Sequence, residues 1–174
     1  TLDNQNMVIT KARQNKWETS ANLDVLSYTN PSYPELEHQR SVLFINKKYF
    51  LVIDKAMGKA TGTLGVHWQL KEDSKAVFDK VKNRVYTTYG DGNNLLIQSL
   101  NADKISLKEE EGKVSYFYNK ELSRPAFAFE KLKNDGASQQ FVSIVYPFEG
   151  EKAPEIQIVP NKGNDFEKGA IDLS

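Results

Sequence analysis

The 174-residue sequence predicts an all-β fold, an antiparallel β-sandwich of about ten to twelve short strands with little helix. Runs of β-branched and aromatic residues recur along the chain, and most of them are followed by turn residues. Within the runs, positions alternate between two faces with a period of two, as Val85, Thr87 and Tyr89 do against Tyr86 and Thr88. Two antiparallel sheets packed face to face would accommodate this pattern most economically.

The clearest strand pair is the segment 41–53, SVLFINKKYFLVI, whose two apolar runs flank the polar turn at 46–48. This pattern predicts a β-hairpin. The charged segment 71–84 is interpreted as a loop or a short helix. Glycine-bearing turns predict three further strand pairs: 84–100 with its turn at 91–93, 105–119 with its turn at 111–112, and 127–146 with its turn at 135–136.

Composition and charge indicate one domain and exclude several classes of function. The chain is long enough to bury one core, 39% of its residues are hydrophobic, and no linker-like tract divides it. Residues 1–174 are therefore predicted to form a single domain. The 23 basic and 23 acidic residues give a formal net charge of zero, which argues against nucleic acid or an anionic membrane surface as a partner. The chain has no cysteine and hence no disulfide or thiolate metal ligand.

Residues that carry enzyme chemistry are sparse and form no recognised motif. The two histidines, His38 and His67, lie 29 positions apart, which matches no zinc-binding spacing. The sequence also has no phosphate-binding loop and no nucleophile elbow. It therefore predicts no metal site and no cofactor, and each histidine is interpreted as structural.

Aromatic side chains are the more informative feature. Trp17, Tyr28 and Tyr33 fall in the polar stretch 16–35 rather than inside an apolar run. An exposed ring can stack on the C–H face of a sugar while neighbouring Asn, Gln or Arg side chains bind the hydroxyl groups. These three residues are thus candidates for carbohydrate contact. The alternative is that their rings cap one end of the sandwich.

The segment from Trp17 to Leu70 contains an ordered pattern. An arginine-led strand, a turn and a strand ending in aspartate, HQRSVLFINKKYFLVID, precede a glycine loop and an aromatic strand, GKATGTLGVHWQL. This pattern resembles the C-terminal domain of the heparinase II/III family of polysaccharide lyases. The resemblance implies a β-sandwich beside an N-terminal helical toroid, with a glycosaminoglycan polysaccharide such as heparan sulfate in the cleft between them. It also implies cleavage by β-elimination, in the periplasm of a bacterium.

The resemblance further bears on individual residues. The family's catalytic Asn and Tyr belong to the helical domain, its partner histidine lies in earlier sandwich strands, and no family motif for a catalytic residue matches this chain. We therefore expect the isolated segment to be inactive and to form one wall of the cleft, with Trp17, Tyr33 and Arg40 contacting substrate at its rim. The alternative is a stand-alone carbohydrate-binding or structural β-sandwich.

Overall fold

The computed structural model describes residues 1–8, 11–101 and 105–157, which form eleven β-strands. All strand pairs are antiparallel and lie in two sheets, so the predicted all-β class is confirmed. This described part of the chain contains no helix long and apolar enough to cross a membrane. The strands are β1 Arg13–Thr19, β2 Leu23–Tyr33, β3 Leu36–Ile45, β4 Tyr49–Gly58, β5 Gly62–Gln69, β6 Ala76–Asp79, β7 Arg84–Thr87, β8 Asn93–Ser99, β9 Ser106–Phe117, β10 Lys120–Lys133 and β11 Gln139–Glu149.

The two sheets differ in width, and this difference leaves part of the large sheet uncovered. The large sheet has eight strands in the order β1-β2-β3-β4-β11-β8-β7-β6, whereas the small sheet has three in the order β5-β10-β9. Every residue of β1 is exposed, and β3 has only two buried residues, at its two ends. The small sheet therefore leaves the β1–β3 side of the large sheet largely uncovered.

The main core lies between the sheets. Phe127 and Phe129 of β10 are fully buried, and their rings meet edge to face with centroids 5.5 Å apart. Phe78 of β6 contacts Phe127 in the same way at 6.2 Å, and Phe141 of β11 completes this contact between the two sheets. A smaller cluster around Val142 packs on the opposite face of the large sheet. Successive residues of β11, such as Phe141 and Val142, thus point to opposite faces of the large sheet, and each face carries an apolar cluster.

Two of the predicted hairpins are confirmed. Strands β3 and β4 pair across the turn at 46–48, where Asn46 and Lys47 adopt left-handed backbone conformations with φ of 51° and 56°. Strands β7 and β8 pair across residues 88–92, and Gly92 has a φ of 78°. Short, local turns of this kind fix the register of the flanking strands.

The prediction of a turn at 111–112 is wrong, because β9 runs without interruption through both residues. A Cβ on Gly112 would lie 2.8 Å from the Cβ of Ala126 and 2.9 Å from the carbonyl oxygen of Arg124. This glycine therefore allows close packing within the sheet instead of making a turn. The hairpin turns at 118–119, where Asn119 takes a left-handed φ of 58°.

The segments 127–146 and 71–84 also differ from the prediction. Strands β10 and β11 follow each other in the chain but belong to different sheets, so the turn at 135–136 is a crossover and not a hairpin. The fully buried Lys133 stabilises this crossover by donating hydrogen bonds to the carbonyl oxygens of Asp135 and Ala137. The segment 71–84 contains β6, which pairs with β7 at the edge of the large sheet.

Candidate functional site

The uncovered side of the large sheet brings aromatic and charged side chains onto one face. Directly paired residues of antiparallel strands share a face, and the register pairs Arg40 with both Tyr28 and Asp54. Two residues along β2 from Tyr28, Leu26 pairs with Trp17 of β1. Trp17, Tyr28 and Arg40 therefore lie on one surface, which we call the open face.

Asp54 organises the charged part of the open face. Its side chain is 3% exposed, and one carboxylate oxygen, Oδ1, lies 2.5 Å from His38 Nε2 and accepts a 2.7 Å hydrogen bond from Arg40 Nε. The other oxygen, Oδ2, accepts a 3.0 Å hydrogen bond from Arg40 Nη2. This paired geometry holds the guanidinium and the imidazole in fixed positions.

The ionisation of Asp54 follows from these contacts. Burial alone raises the pKa of this carboxyl, but the hydrogen bond from His38 and the positive charge and hydrogen bonds of Arg40 outweigh it, so the pKa is lowered below its ordinary value. Asp54 is consequently an anion at neutral pH, and it neutralises Arg40. Within the described residues, Arg40 Nη1 makes no hydrogen bond, and the side chain is 46% exposed.

A cavity of about 280 Å³ adjoins the open face between the edges of the two sheets. His38, Arg40 and Asp54 line it from the large sheet, and Leu64 and Val66 line it from β5. The cavity wall is thus mostly apolar, and the Asp54 cluster supplies its charged part. Such a combination of apolar wall and a few convergent polar groups is typical of a ligand-binding pocket.

Tyr33 also lines this cavity, at the end of β2. Its hydroxyl donates a 2.7 Å hydrogen bond to the carbonyl oxygen of Gln5 and accepts one from the backbone N–H of Leu2 at 3.3 Å. Burial raises the pKa of the phenol, and the Leu2 hydrogen bond opposes this only in part. Tyr33 is therefore a neutral hydrogen-bonding group that joins residues 1–5 to the cavity.

Trp17 lies two strands away from Arg40, on the outermost strand β1, and its side chain is 65% exposed. Tyr28, between them, is held by a 2.9 Å hydrogen bond from its hydroxyl to Gln14 Oε1. The structure thus brings Tyr33 and Arg40 to one cavity, and it places Trp17 on the same face but outside the cavity. Together these side chains offer ring faces and one cationic group to a ligand lying across the open face.

His67, the second histidine, also pairs with a carboxylate. Its Nδ1 lies 2.8 Å from Glu110 Oε2, and its Nε2 lies 2.6 Å from Thr1 Oγ1. Its neighbour Trp68 instead packs against the main core, in line with the opposite faces that strand alternation predicts. Across the ranges that the structure describes, no three His, Asp or Glu side chains are grouped so that they could hold a metal ion.

Sequence reasoning missed Asp54 and Glu110 as the partners of the two histidines. A signal for Asp54 exists, because residues equidistant from a hairpin turn pair with each other and Arg40 and Asp54 each lie seven positions from Lys47. No such signal exists for Glu110. Glu110 lies on β9 and His67 on β5, and β10 pairs with both of these strands. This pairing joins segments that are far apart in the sequence, so no local pattern predicts the contact.

Comparison with known proteins agrees with this fold. The family described as heparinase II/III-like, C-terminal, matches residues 1–159. The chain is 79% identical over all 174 of its residues to the heparin-sulfate lyase of Pedobacter heparinus and 27% identical over 174 residues to that of Bacteroides stercoris. In each case it spans about a quarter, 26%, of the relative's length.

A solved structure is equally similar. The crystal structure of heparan sulfate lyase HepC from Pedobacter heparinus superposes with a TM-score of 0.93 at 80% identity, over 97% of this chain and 26% of that one. The sequence match and the shared fold cover almost all of the residues that the structure describes. The chain therefore belongs to the heparinase II/III-like C-terminal domain family.

Proposed function

We propose that this chain is the C-terminal β-domain of a longer lyase that cleaves heparan sulfate or heparin. The observation that carries this proposal is the 79% identity to a heparin-sulfate lyase over the full 174 residues. At this identity the core and the open face are expected to be largely retained, as the TM-score of 0.93 to a heparan sulfate lyase supports. The chain accounts for 26% of that relative's length, so the remainder of the enzyme supplies the other parts of the site.

The proposed reaction is β-elimination at a uronate residue. A base removes the C5 proton, the glycosidic C4–O bond breaks with its electron pair going to oxygen, and an acid protonates that leaving oxygen. A cation or an amide must also neutralise the uronate carboxylate as negative charge develops on it. Arg40 is already neutralised by Asp54 and each histidine contacts a carboxylate, which favours structural and binding roles for these groups.

We further propose that the open face forms one wall of the substrate cleft. Trp17 would stack on a sugar ring, since this residue is 65% exposed. Arg40 would donate from Nη1 to a sulfate or carboxylate oxygen while Asp54 fixes its orientation. Tyr33 would position the cavity edge, and an N-terminal helical domain of the same protein would form the opposite wall. Such an enzyme would act in the periplasm.

The test is a lyase assay on the intact longer protein, following the ultraviolet absorbance of the unsaturated product. We expect turnover of heparan sulfate and none of an uncharged polysaccharide. The Trp17→Ser variant should have a KM about fivefold to tenfold higher with little change in kcat, because it removes a stacking contact made equally in ground and transition states. Val81→Ser, at another strongly exposed apolar position, serves as the matched control.

Two results would count against this proposal. If the intact protein produces no unsaturated product from any uronate-containing polymer, the lyase function is wrong. If the protein turns over heparan sulfate and Trp17→Ser leaves KM unchanged, the lyase function stands and the role of the open face is wrong. Binding of glycan without any turnover would instead support the alternative of a carbohydrate-binding sandwich.

A further inference from the structure

The hairpin formed by β9 and β10 extends beyond the rest of the small sheet. Strand β5 pairs only with the segment Ala126–Lys133 of β10. Residues 111–125 therefore form a two-stranded projection, which we call the aromatic arm, and its strands pair with each other up to Phe117 and Lys120. A two-stranded element without a third strand has little apolar surface of its own to bury.

The end of the aromatic arm carries three consecutive exposed rings. Tyr116 is 58%, Phe117 71% and Tyr118 94% exposed. The arm is tied to the rest of the domain by the Tyr116 hydroxyl, which donates a 2.8 Å hydrogen bond to Glu72. Within the arm, Ser115 Oγ donates a 2.7 Å hydrogen bond to the carbonyl oxygen of Phe117. Large apolar side chains fixed in contact with water commonly mark a binding surface.

Arg124 lies close enough to Tyr116 for its positive charge to act on the phenol. Arg124 pairs with Gly112 of β9, and between Val114 and Phe117 this strand carries one extra residue, a β-bulge that includes the position of Tyr116. The electrostatics agree with this proximity: the hydrogen bond to Glu72 raises the pKa of Tyr116, and the positive charge of Arg124 opposes that rise. Gly112 leaves room for the arginine stem, since a Cβ there would lie 3.0 Å from Arg124 Cγ.

The guanidinium of Arg124 differs from those of Arg40 and Arg84. Those two arginines are paired with carboxylates, whereas Arg124 makes no ion pair with any residue that the structure describes. Its Nε is buried and has no hydrogen-bond acceptor within the described residues. A buried donor without an acceptor is costly, and an anionic oxygen of a ligand would satisfy it.

We propose that the aromatic arm binds a sulfated, uronate-containing polysaccharide, with Arg124 receiving a sulfate or carboxylate group and Tyr116 and Tyr118 stacking on adjacent sugar rings. This inference takes its substrate class from the proposed function. A slim ligand fits the geometry best, since the turn is only two residues long. On the face of the arm opposite to Arg124, Lys113 forms an ion pair with Glu121. That charged pair leaves the opposite face of the arm without the continuous apolar surface that a protein interface would need.

The test is a titration of the 174-residue chain with a size-defined heparan sulfate oligosaccharide, followed by chemical shifts of its backbone amides. Shifts should cluster at 112–124. Arg124→Gln should weaken binding about tenfold, the effect of losing one charge-assisted hydrogen bond. Tyr116→Ser should weaken binding, whereas Tyr116→Phe keeps the ring and should bind like the wild type. Val81→Ser, exposed elsewhere, should also leave binding unchanged.

The titration would overturn the inference in any of three ways: shifts confined to the open face, an unaltered affinity of Arg124→Gln, or equal losses for Tyr116→Phe and Tyr116→Ser. A circular dichroism spectrum of each variant confirms that it is folded. In the intact protein, protection of the amides at 116–118 from hydrogen exchange without added glycan would mean that another part of the protein covers the arm, and this result would also overturn the inference. If the intact protein cleaves heparan sulfate while arm variants keep the wild-type KM, the inference fails and the proposed function survives.

Discussion

Replacing Asp54 with asparagine tests the structural role of the charged cluster. The substitution nearly preserves the shape of the side chain but removes the negative charge that accepts hydrogen bonds from Arg40 Nε, Arg40 Nη2 and, when its Nε2 carries a proton, His38. Asparagine also presents an NH₂ group where the carboxylate presented a second acceptor. The NH₂ group of the asparagine must then face an N–H donor of Arg40 or His38, with no acceptor between them.

The size of the effect follows from burial. Removing one partner of a buried ion pair costs about 3–5 kcal/mol, because the remaining charge loses its compensation. The Asp54 carboxylate is 3% exposed, but the Arg40 and His38 side chains are 46% and 29% exposed, so water recovers part of the loss. We therefore expect a decrease in unfolding free energy of about 3 kcal/mol, at the lower end of that range. For a chain of this length, this corresponds to a Tm about 6–12 °C lower.

Urea unfolding followed by tryptophan fluorescence and circular dichroism measures this decrease. Asp73→Asn is the matched control, since Asp73 pairs with Lys71 at the surface and its side chain is 63% exposed. The control should be indistinguishable from the wild type. A loss below about 1 kcal/mol for Asp54→Asn would refute the reasoning, because it would mean that the cluster contributes no more than an ordinary surface ion pair.

The same pair of proteins gives a pH test with a defined sign. The folded-state pKa of Asp54 lies below its unfolded value of about 3.9, so its charge stabilises the fold fully above that value. The stabilisation disappears as the pH falls through the folded-state pKa. The difference in unfolding free energy between wild type and Asp54→Asn should therefore shrink as the pH falls below about 4, and a difference that widens there would contradict this.

Three further predictions concern stability. Phe127→Ala removes a fully buried ring and should lower the unfolding free energy by about 3–5 kcal/mol in urea. Gly58→Ala places a Cβ 2.1 Å from the carbonyl oxygen of Glu35 at a φ of 126° and should lower Tm, whereas Gly136→Ala, with open space around it, should not. Lys133→Met leaves two crossover carbonyls without their donor and should speed hydrogen exchange at 134–138; unchanged exchange would exclude this role.

Local patterns predicted the parts of the fold that local interactions determine. The hairpin of β3 and β4 follows from two apolar runs and a polar turn, and its register even places Arg40 opposite Asp54. Gly112 shows the limit of this reasoning. In the sequence it follows three glutamates and looks like a turn residue, but it is required where Arg124 and Ala126 pack against β9. That contact depends on pairing with a strand that the local pattern does not specify.

The candidate site shows a similar division. The sequence predicts that Trp17 is exposed, because its neighbours along the chain are polar. It also predicts that Arg40 lies on a strand, because an apolar run follows it. The cavity was not predictable, because it forms where β5 of the small sheet approaches β4 of the large one, and no short-range signal specifies which strands change sheets. Arg124 was missed for the same reason, since its lack of a partner becomes visible only when every neighbouring strand is in place.

The most direct measurement is a side-by-side assay of the isolated 174-residue chain and the intact longer protein on heparan sulfate, at equal molar concentration and with unsaturated product as the readout. Our account predicts steady formation of product by the intact protein and none by the chain alone, even though the chain is folded. Turnover by the isolated chain would contradict it, because the groups that transfer protons would then have to lie within these 174 residues.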